Sequence, residues 1–198
     1  MWWQNHSNKD CEKALYSESG RFHIDNHGIL QRFEPVCENL FVDEETEMGD
    51  NYSYVTQKSI RSFIVPEGVK GFVDGFMRSV RVVDRFVLPD TFERIGECCF
   101  ADCILPSVVI PSSILTIGDF AFGHTHIDIL QLPQTLHSPY GRQFKDSYIG
   151  TLRLPKEWKD SVTLGEHNEL RLQGPWLDQD EYGYLRWYST KIGNLEFY

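Results

Sequence analysis

The segment Gly123-His124-Thr125-His126-Ile127-Asp128 places two imidazoles and a carboxylate within five residues, donor types that suit zinc or a hydrolytic metal. A metal-dependent hydrolase using His124, His126 and Asp128, completed by a ligand from elsewhere in the chain, is the alternative reading of this stretch. No further ligand follows from spacing, and the leading reading is a polar turn. Cys98-Cys99-x-x-x-Cys103 lacks the Cys-x-x-Cys spacing of a zinc site. Asp178-x-Asp180 resembles the start of a calcium loop, but Tyr182 and Ser189 occupy positions five and twelve, so the bidentate glutamate is missing. The chain has no nucleophile-elbow Gly-x-Ser-x-Gly, phosphate-binding glycine loop or dinucleotide fingerprint. The expectation is a non-enzyme with no catalytic residue, no metal and no cofactor.

The elements that carry these residues follow a fixed period. Short β-like runs end at Pro66, Pro89, Pro111, Pro133 and Pro155, spaced 23, 22, 22 and 22 residues apart. The positions three and one before each proline are apolar: Phe63/Val65, Phe86/Leu88, Val108/Ile110, Leu130/Leu132 and Leu152/Leu154. Such alternation puts both side chains on one face of a strand. Three residues after the proline stand Val69, Phe92, Ile114, Leu136 and Trp158; eleven after it stand Met77, Phe100, Phe122 and Phe144. Each unit thus reads as a strand stopped by proline, a turn, and a return segment plugged by a large side chain. One unit cannot bury its apolar face alone, so stacked units must bury it together. The fold class expected is a β-rich solenoid of about five 22-residue repeats.

The stretches LPDTFERIGECCFADC (88–103) and IPSSILTIGDFAFGHT (110–125) resemble BspA-type leucine-rich repeats, as found in short bacterial proteins. FIVPEGVKGFVDGFM (63–77) is similar but lacks the Ile-Gly pair, and RFHIDNHGILQRF (21–33) resembles the segment that precedes a first repeat. The resemblance implies a leucine-rich-repeat-like right-handed coil acting as a generic interaction scaffold. The fourth unit carries Pro139-Tyr140 in place of Ile-Gly, so its return segment is expected to bulge.

Three parts are expected: an amino-terminal cap with an acidic loop (1–60), the array (61–155), and degenerate repeats or a capping sheet (156–198). Alternating Leu170/Leu172, Leu185/Trp187 and Leu195/Phe197 belong to the last part. The chain carries 19 basic and 29 acidic residues, net −10. Residues 1–60 hold five basic and eleven acidic residues (net −6), the array nine and ten (−1), and 156–198 five and eight (−3). Such acidity disfavours nucleic-acid and anionic-membrane partners. No apolar run approaches a span of about 18 residues. Five cysteines and an amino terminus unlike a secretory signal point to reduced thiols and a cytoplasmic protein, with a surface-adhesin fragment as a further alternative.

Candidate binding residues are therefore sought on the surface. Two before each proline, pointing away from the core, stand Ile64, Val87, Val109, Gln131 and Arg153; four before stand Ser62, Arg85, Ser107, Ile129 and Thr151. Together Ile64, Arg85, Val87, Val109, Ile129, Gln131 and Arg153 form one candidate face for a protein partner. The second candidate is the acidic cap, with Asp43, Glu44, Glu45, Glu47 and Asp50, for a basic partner such as a toxin neutralised by an immunity-type protein. All five tryptophans (Trp2, Trp3, Trp158, Trp176, Trp187) lie outside the proline-bounded repeats, where they close solenoid ends or anchor an interface.

Overall fold

The computed structural model describes residues 3–4, 13–41, 58–136, 142–164, 170–172, 185–186 and 190–198. In the first part, β2 (Lys13–Ser17), β3 (Gly20–Ile24) and β4 (Ile29–Pro35) form an antiparallel meander, with β1 (Trp3–Gln4) also paired to β4. A 3-10 turn (Cys37–Asn39) leads into β5 (Leu40–Phe41), which lies antiparallel on β6 (Lys58–Ile64). The coil then alternates long and short strands: β7 (Gly71–Phe72), β8 (Val80–Val87), β9 (Arg94–Ile95), β10 (Ile104–Val109), β11 (Thr116–Ile117), β12 (His126–Gln131) and β13 (Tyr148–Leu154). After a 3-10 helix (Lys156–Ser161) come β14 (Val162–Leu164), β15 (Leu170–Leu172), β16 (Leu185–Arg186) and β17 (Lys191–Phe197).

The long strands β6, β8, β10, β12, β13 and β17 are parallel neighbours in one sheet, with β5 on its first edge. The short strands β7, β9 and β11 form a second sheet that continues through β4 into the cap. This two-sided coil is the β-solenoid that the period implies. The antiparallel trio β14–β15–β16 interrupts it, and β17 then rejoins the long sheet beside β13. Residues 170–172 and 185–186 lie in a small antiparallel sheet, whereas Leu195 and Phe197 pair with Leu152 and Leu154 as a sixth rung.

Local chemistry explains each turn. The carbonyl of every repeat proline accepts the N–H three residues on, from Val69, Phe92, Ile114, Leu136 and Trp158. This β-turn swings the apolar side chain at that position into the core, where all five are buried. The Ile-Gly pair follows: a Cβ on Gly118 would come 2.6 Å from Glu97 N, and one on Gly96 would come 2.7 Å from the Val73 carbonyl carbon. Successive rungs approach backbone to backbone there, so only glycine fits. The return segment closes through left-handed residues in a second column, Ser79, Asp102, His124 and Asp146, with φ between 55° and 61°.

The core is a set of side-chain columns. Phe100, Phe122 and Phe144 stack with centroids 5.4 and 5.1 Å apart, the second pair nearly parallel at 3°. Such pairs add roughly 0.5–1.5 kcal/mol each beyond area burial. Beside them runs a buried polar column that the apolar pattern does not reveal. Cys103 Sγ donates to Met77 O (2.8 Å), Thr125 Oγ1 to Phe100 O (2.6 Å), Ser147 Oγ to Phe122 O and Thr190 Oγ1 to Phe144 O. Each donates to a carbonyl of the preceding rung at the corner between the sheets, and Phe144 O accepts the Ser147 N–H as well.

Candidate functional site

The outward side of the long sheet gathers the candidate face. The register sets Ile64 beside Val87, Val109 beside Gln131, and Gln131 beside Arg153. The neighbouring row sets Ser62 beside Arg85, Ser107 beside Ile129, and Ile129 beside Thr151. Val87 (38%) and Val109 (49%) are exposed, while Ile64, Ile129 and Gln131 are half-buried by their row neighbours. A β-branched residue suits a strand on any face, and here two of them also present bare apolar surface.

The arginines of this face are engaged within the molecule. Arg85 Nη1 lies 2.6 Å from Glu18 Oε1 in the cap, and Arg153 Nε lies 2.8 Å from Glu196 Oε2. Exposed pairs of this kind contribute about 0–1 kcal/mol; their larger effect is to fix the guanidinium groups and cancel their charge. Glu196 extends the row beyond Arg153, and proline spacing could not find it, because Tyr198 stands in the proline's place. Leu195 and Phe197, three and one before Tyr198, keep the core columns and are the signal that could have found it. The Tyr198 hydroxyl donates to Leu132 O at 2.8 Å, and burial raises its pKa.

The two histidines of the polar turn go to different carboxylates. His124, in the left-handed corner, has Nε2 4.0 Å from Asp146 Oδ2; His126, on β12, has Nε2 3.3 Å from Asp128 Oδ1 and its ring 4.8 Å from Tyr148. Among the described residues no three His, Cys, Asp or Glu side chains are grouped to hold a metal ion. Cys99 and Cys103 are buried in the core; desolvation pushes the Cys99 thiol well up and the Cys103 thiol up to about 12. Trp158 is buried at the end of its apolar column.

Asp43, Glu44, Glu45, Glu47 and Asp50 lie outside the described residues, as do Trp2, Trp176, Trp187, Asp178, Asp180, Pro139 and Tyr140. Among the described residues no helix is long and apolar enough to cross a membrane.

A family model described as a BspA type leucine rich repeat region matches residues 46–162, in six copies. No curated protein and no solved structure matches the chain.

Proposed function

The chain belongs to the BspA-type leucine-rich-repeat family, and from that premise we propose that it is a non-enzymatic scaffold binding another protein through the outward face of its long sheet. Repeat coils of this family are interaction scaffolds, typically without catalysis of their own. The observation that carries the reading is the pair of exposed valines, Val87 and Val109, each two residues before its proline on the flat face of the long sheet. Ile64 extends the same row, and Arg85, held by Glu18, borders it. An apolar strip with a polar rim is the anatomy of a protein interface.

The partner proposed is basic. The net charge of −10 falls mostly on residues 1–60, which contribute −6. Asp43, Glu44, Glu45, Glu47 and Asp50 would steer a cationic protein towards this chain and speed its docking. A neutraliser of a basic toxin, acting in the cytoplasm, is the specific form of this reading. Copurification from the native host tests it. A protein retained at low and moderate salt, and lost from the Val87→Asp/Val109→Asp double variant, is the expected result. No retained partner, or one indifferent to both substitutions, would overturn the assignment.

A further inference from the structure

The far half of the same face carries a second, chemically different patch. Here the sheet surface is stripped of side chains at two adjacent positions. A Cβ on Gly150 would come 2.7 Å from Asp128 O, and one on Gly193 would come 2.6 Å from Gly150 O. The Cβ position of Gly193 also lies 3.1 Å from the Tyr148 hydroxyl oxygen. The Tyr148 hydroxyl therefore reaches from β13 across to Gly193 on β17. Tyr148 is 43% exposed, and the His126 ring lies 4.8 Å away at an interplanar angle of 33°. Polar groups rim this aromatic floor. The Asp128 side chain is 67% exposed, and Thr151 and Asn194 are register partners on the other side of the glycines. Asn194 Nδ2 donates to Glu196 Oε1 at 3.2 Å, which leaves its Oδ1 as an acceptor.

We propose that this patch is a saccharide-binding site, with one sugar ring stacked on Tyr148 and its hydroxyls bonded to Asp128, Asn194 and Thr151. The axial C–H bonds of a pyranose present a weakly positive, apolar face, which matches the negative face of an aromatic ring. An ionised carboxylate accepts hydrogen bonds from two adjacent hydroxyls, and these charge-assisted bonds are the strong ones. The glycines let the ring approach the floor closely. A cationic ligand fits less well, because Lys191, the register partner of Tyr148, is a cation of the protein's own on the adjoining strand. An anion fits less well because Asp128 and Glu196 border the patch. A flat, neutral, polyhydroxylated ligand satisfies all of these constraints. The site does not depend on the protein-binding reading, since Val87 and Val109 lie outside it.

The test is retention of the full chain on an array of immobilised hexose and N-acetylhexosamine oligosaccharides. At least one saccharide should retain the wild-type protein. Tyr148→Ala and Asp128→Asn should each weaken retention about tenfold or more, whereas Tyr148→Phe, which keeps the ring, and Val109→Asp, outside the patch, should leave it within about threefold. Thermal melting of each variant monitors the fold, and Asp128→Asn carries the test if Tyr148→Ala melts early. No retention on any saccharide, or equal retention by wild type, Tyr148→Ala and Asp128→Asn, would overturn the proposal. Retention of an arginine-rich peptide in place of any saccharide would overturn it as well and assign the patch to a basic protein.

Discussion

Asn39 stands in for a strand residue opposite Ser62: its Oδ1 accepts the Ser62 N–H at 2.7 Å and its Nδ2 donates to the Ser62 carbonyl at 2.7 Å. Two residues on, Ser19 does the same for Ile64, whose N–H reaches Ser19 Oγ at 3.0 Å while that hydroxyl reaches Ile64 O at 3.2 Å. Before them, β5 pairs with Ser59 and Ile60. The first rung of the long sheet would otherwise offer an open edge to other chains. It is covered by a short strand, an amide and a hydroxyl in succession, all supplied by the cap.

Asn39→Ala should therefore destabilise the whole coil. It strands the Ser62 N–H and carbonyl, while the Ser19 carbonyl, to which Nδ2 also donates at 2.8 Å, keeps the Val36 N–H at 3.3 Å. Unsatisfied buried groups of this kind put the loss at about 2–4 kcal/mol. Urea unfolding should show it as a lower midpoint. Asn39→Asp should recover little, because its second oxygen would face the Ser19 and Ser62 carbonyls. A loss below about 0.5 kcal/mol for the alanine variant would mean the edge is covered without this amide.

Two glycines should respond unequally to alanine. Gly118 sits where a Cβ would meet the Glu97 and Gly96 backbone at 2.6–2.8 Å, so the rungs must part. Gly75 has φ of 65° and nothing within 4 Å of its Cβ position. Alanine there meets only left-handed strain, about 1–2 kcal/mol. At Gly118 the cost should be about 3 kcal/mol or more. Parallel thermal melts of the two variants would reverse this order only if the rungs can slide apart freely.

The coil was legible because its signal is repeated and apolar. A proline and four flanking apolar columns recurring every 22 residues leave little freedom for anything but stacked strands. What escaped were features carried by polar or single residues. The column of Cys103, Thr125, Ser147 and Thr190 is chemically mixed, so it reads as noise until one sees that every member donates to a carbonyl of the rung before. Leu195 and Phe197 alternate as a strand should, but their place as a sixth rung escaped because Tyr198 replaces the proline and the trio β14–β15–β16 stretches the spacing. On the surface, the aliphatic row was visible from register alone. The pairing of Arg85 with Glu18 and of Arg153 with Glu196 was not, since both carboxylates come from elements outside the repeats.

Glu34 couples the cap to pH. A hydrogen bond from His23 (Nε2 to Oε2, 3.0 Å) holds its carboxyl below the ordinary range, helped by the charges of His23, Arg32 and Arg21. A carboxyl depressed in the folded state contributes stability above its unfolded value, and that contribution fades as pH falls through the folded value. Glu34→Gln should then be less stable than wild type near neutrality, and the two should converge once the pH has fallen below the ordinary glutamate range and through the lowered folded value. Thermal melts across the acid range check this. His23→Ala should move the Glu34 carboxyl titration upward in a carbon-13 NMR experiment, and no movement would assign the depression to the arginines alone.

The buried thiols should be silent in the folded protein. Cys103, with its proton held up to about 12 and donated to Met77 O, and Cys99, raised well above the ordinary value, expose no thiolate at pH 8. Cys37 is exposed. Treatment with a disulfide reagent followed by peptide mapping should label Cys37 within minutes, and Cys99 and Cys103 only in denaturant. Labelling of Cys103 at the rate of Cys37 would mean that the third rung opens locally.

Thr190 holds the re-entry point of the chain. It occupies, eight residues before Tyr198, the place that Ser147 holds before Pro155, and its hydroxyl donates to Phe144 O as that of Ser147 does to Phe122 O. The match explains how β17 finds its register after the β14–β15–β16 excursion: the hydroxyl and the buried Ile192 fit only one alignment against Ile149. Thr190→Val preserves shape and deletes the donor, leaving Phe144 O with the Ser147 N–H (3.2 Å), at a cost of about 0.5–1.5 kcal/mol for the lost bond. Ser147→Ala removes the equivalent bond inside the array. Hydrogen exchange separates the two cases. In Thr190→Val the faster exchange should be confined to β17 and its partner β13, because β17 is an edge rung. In Ser147→Ala it should spread to β12 and β17 on both sides. Uniform acceleration in both variants would mean that the sixth rung unfolds only with the rest of the coil.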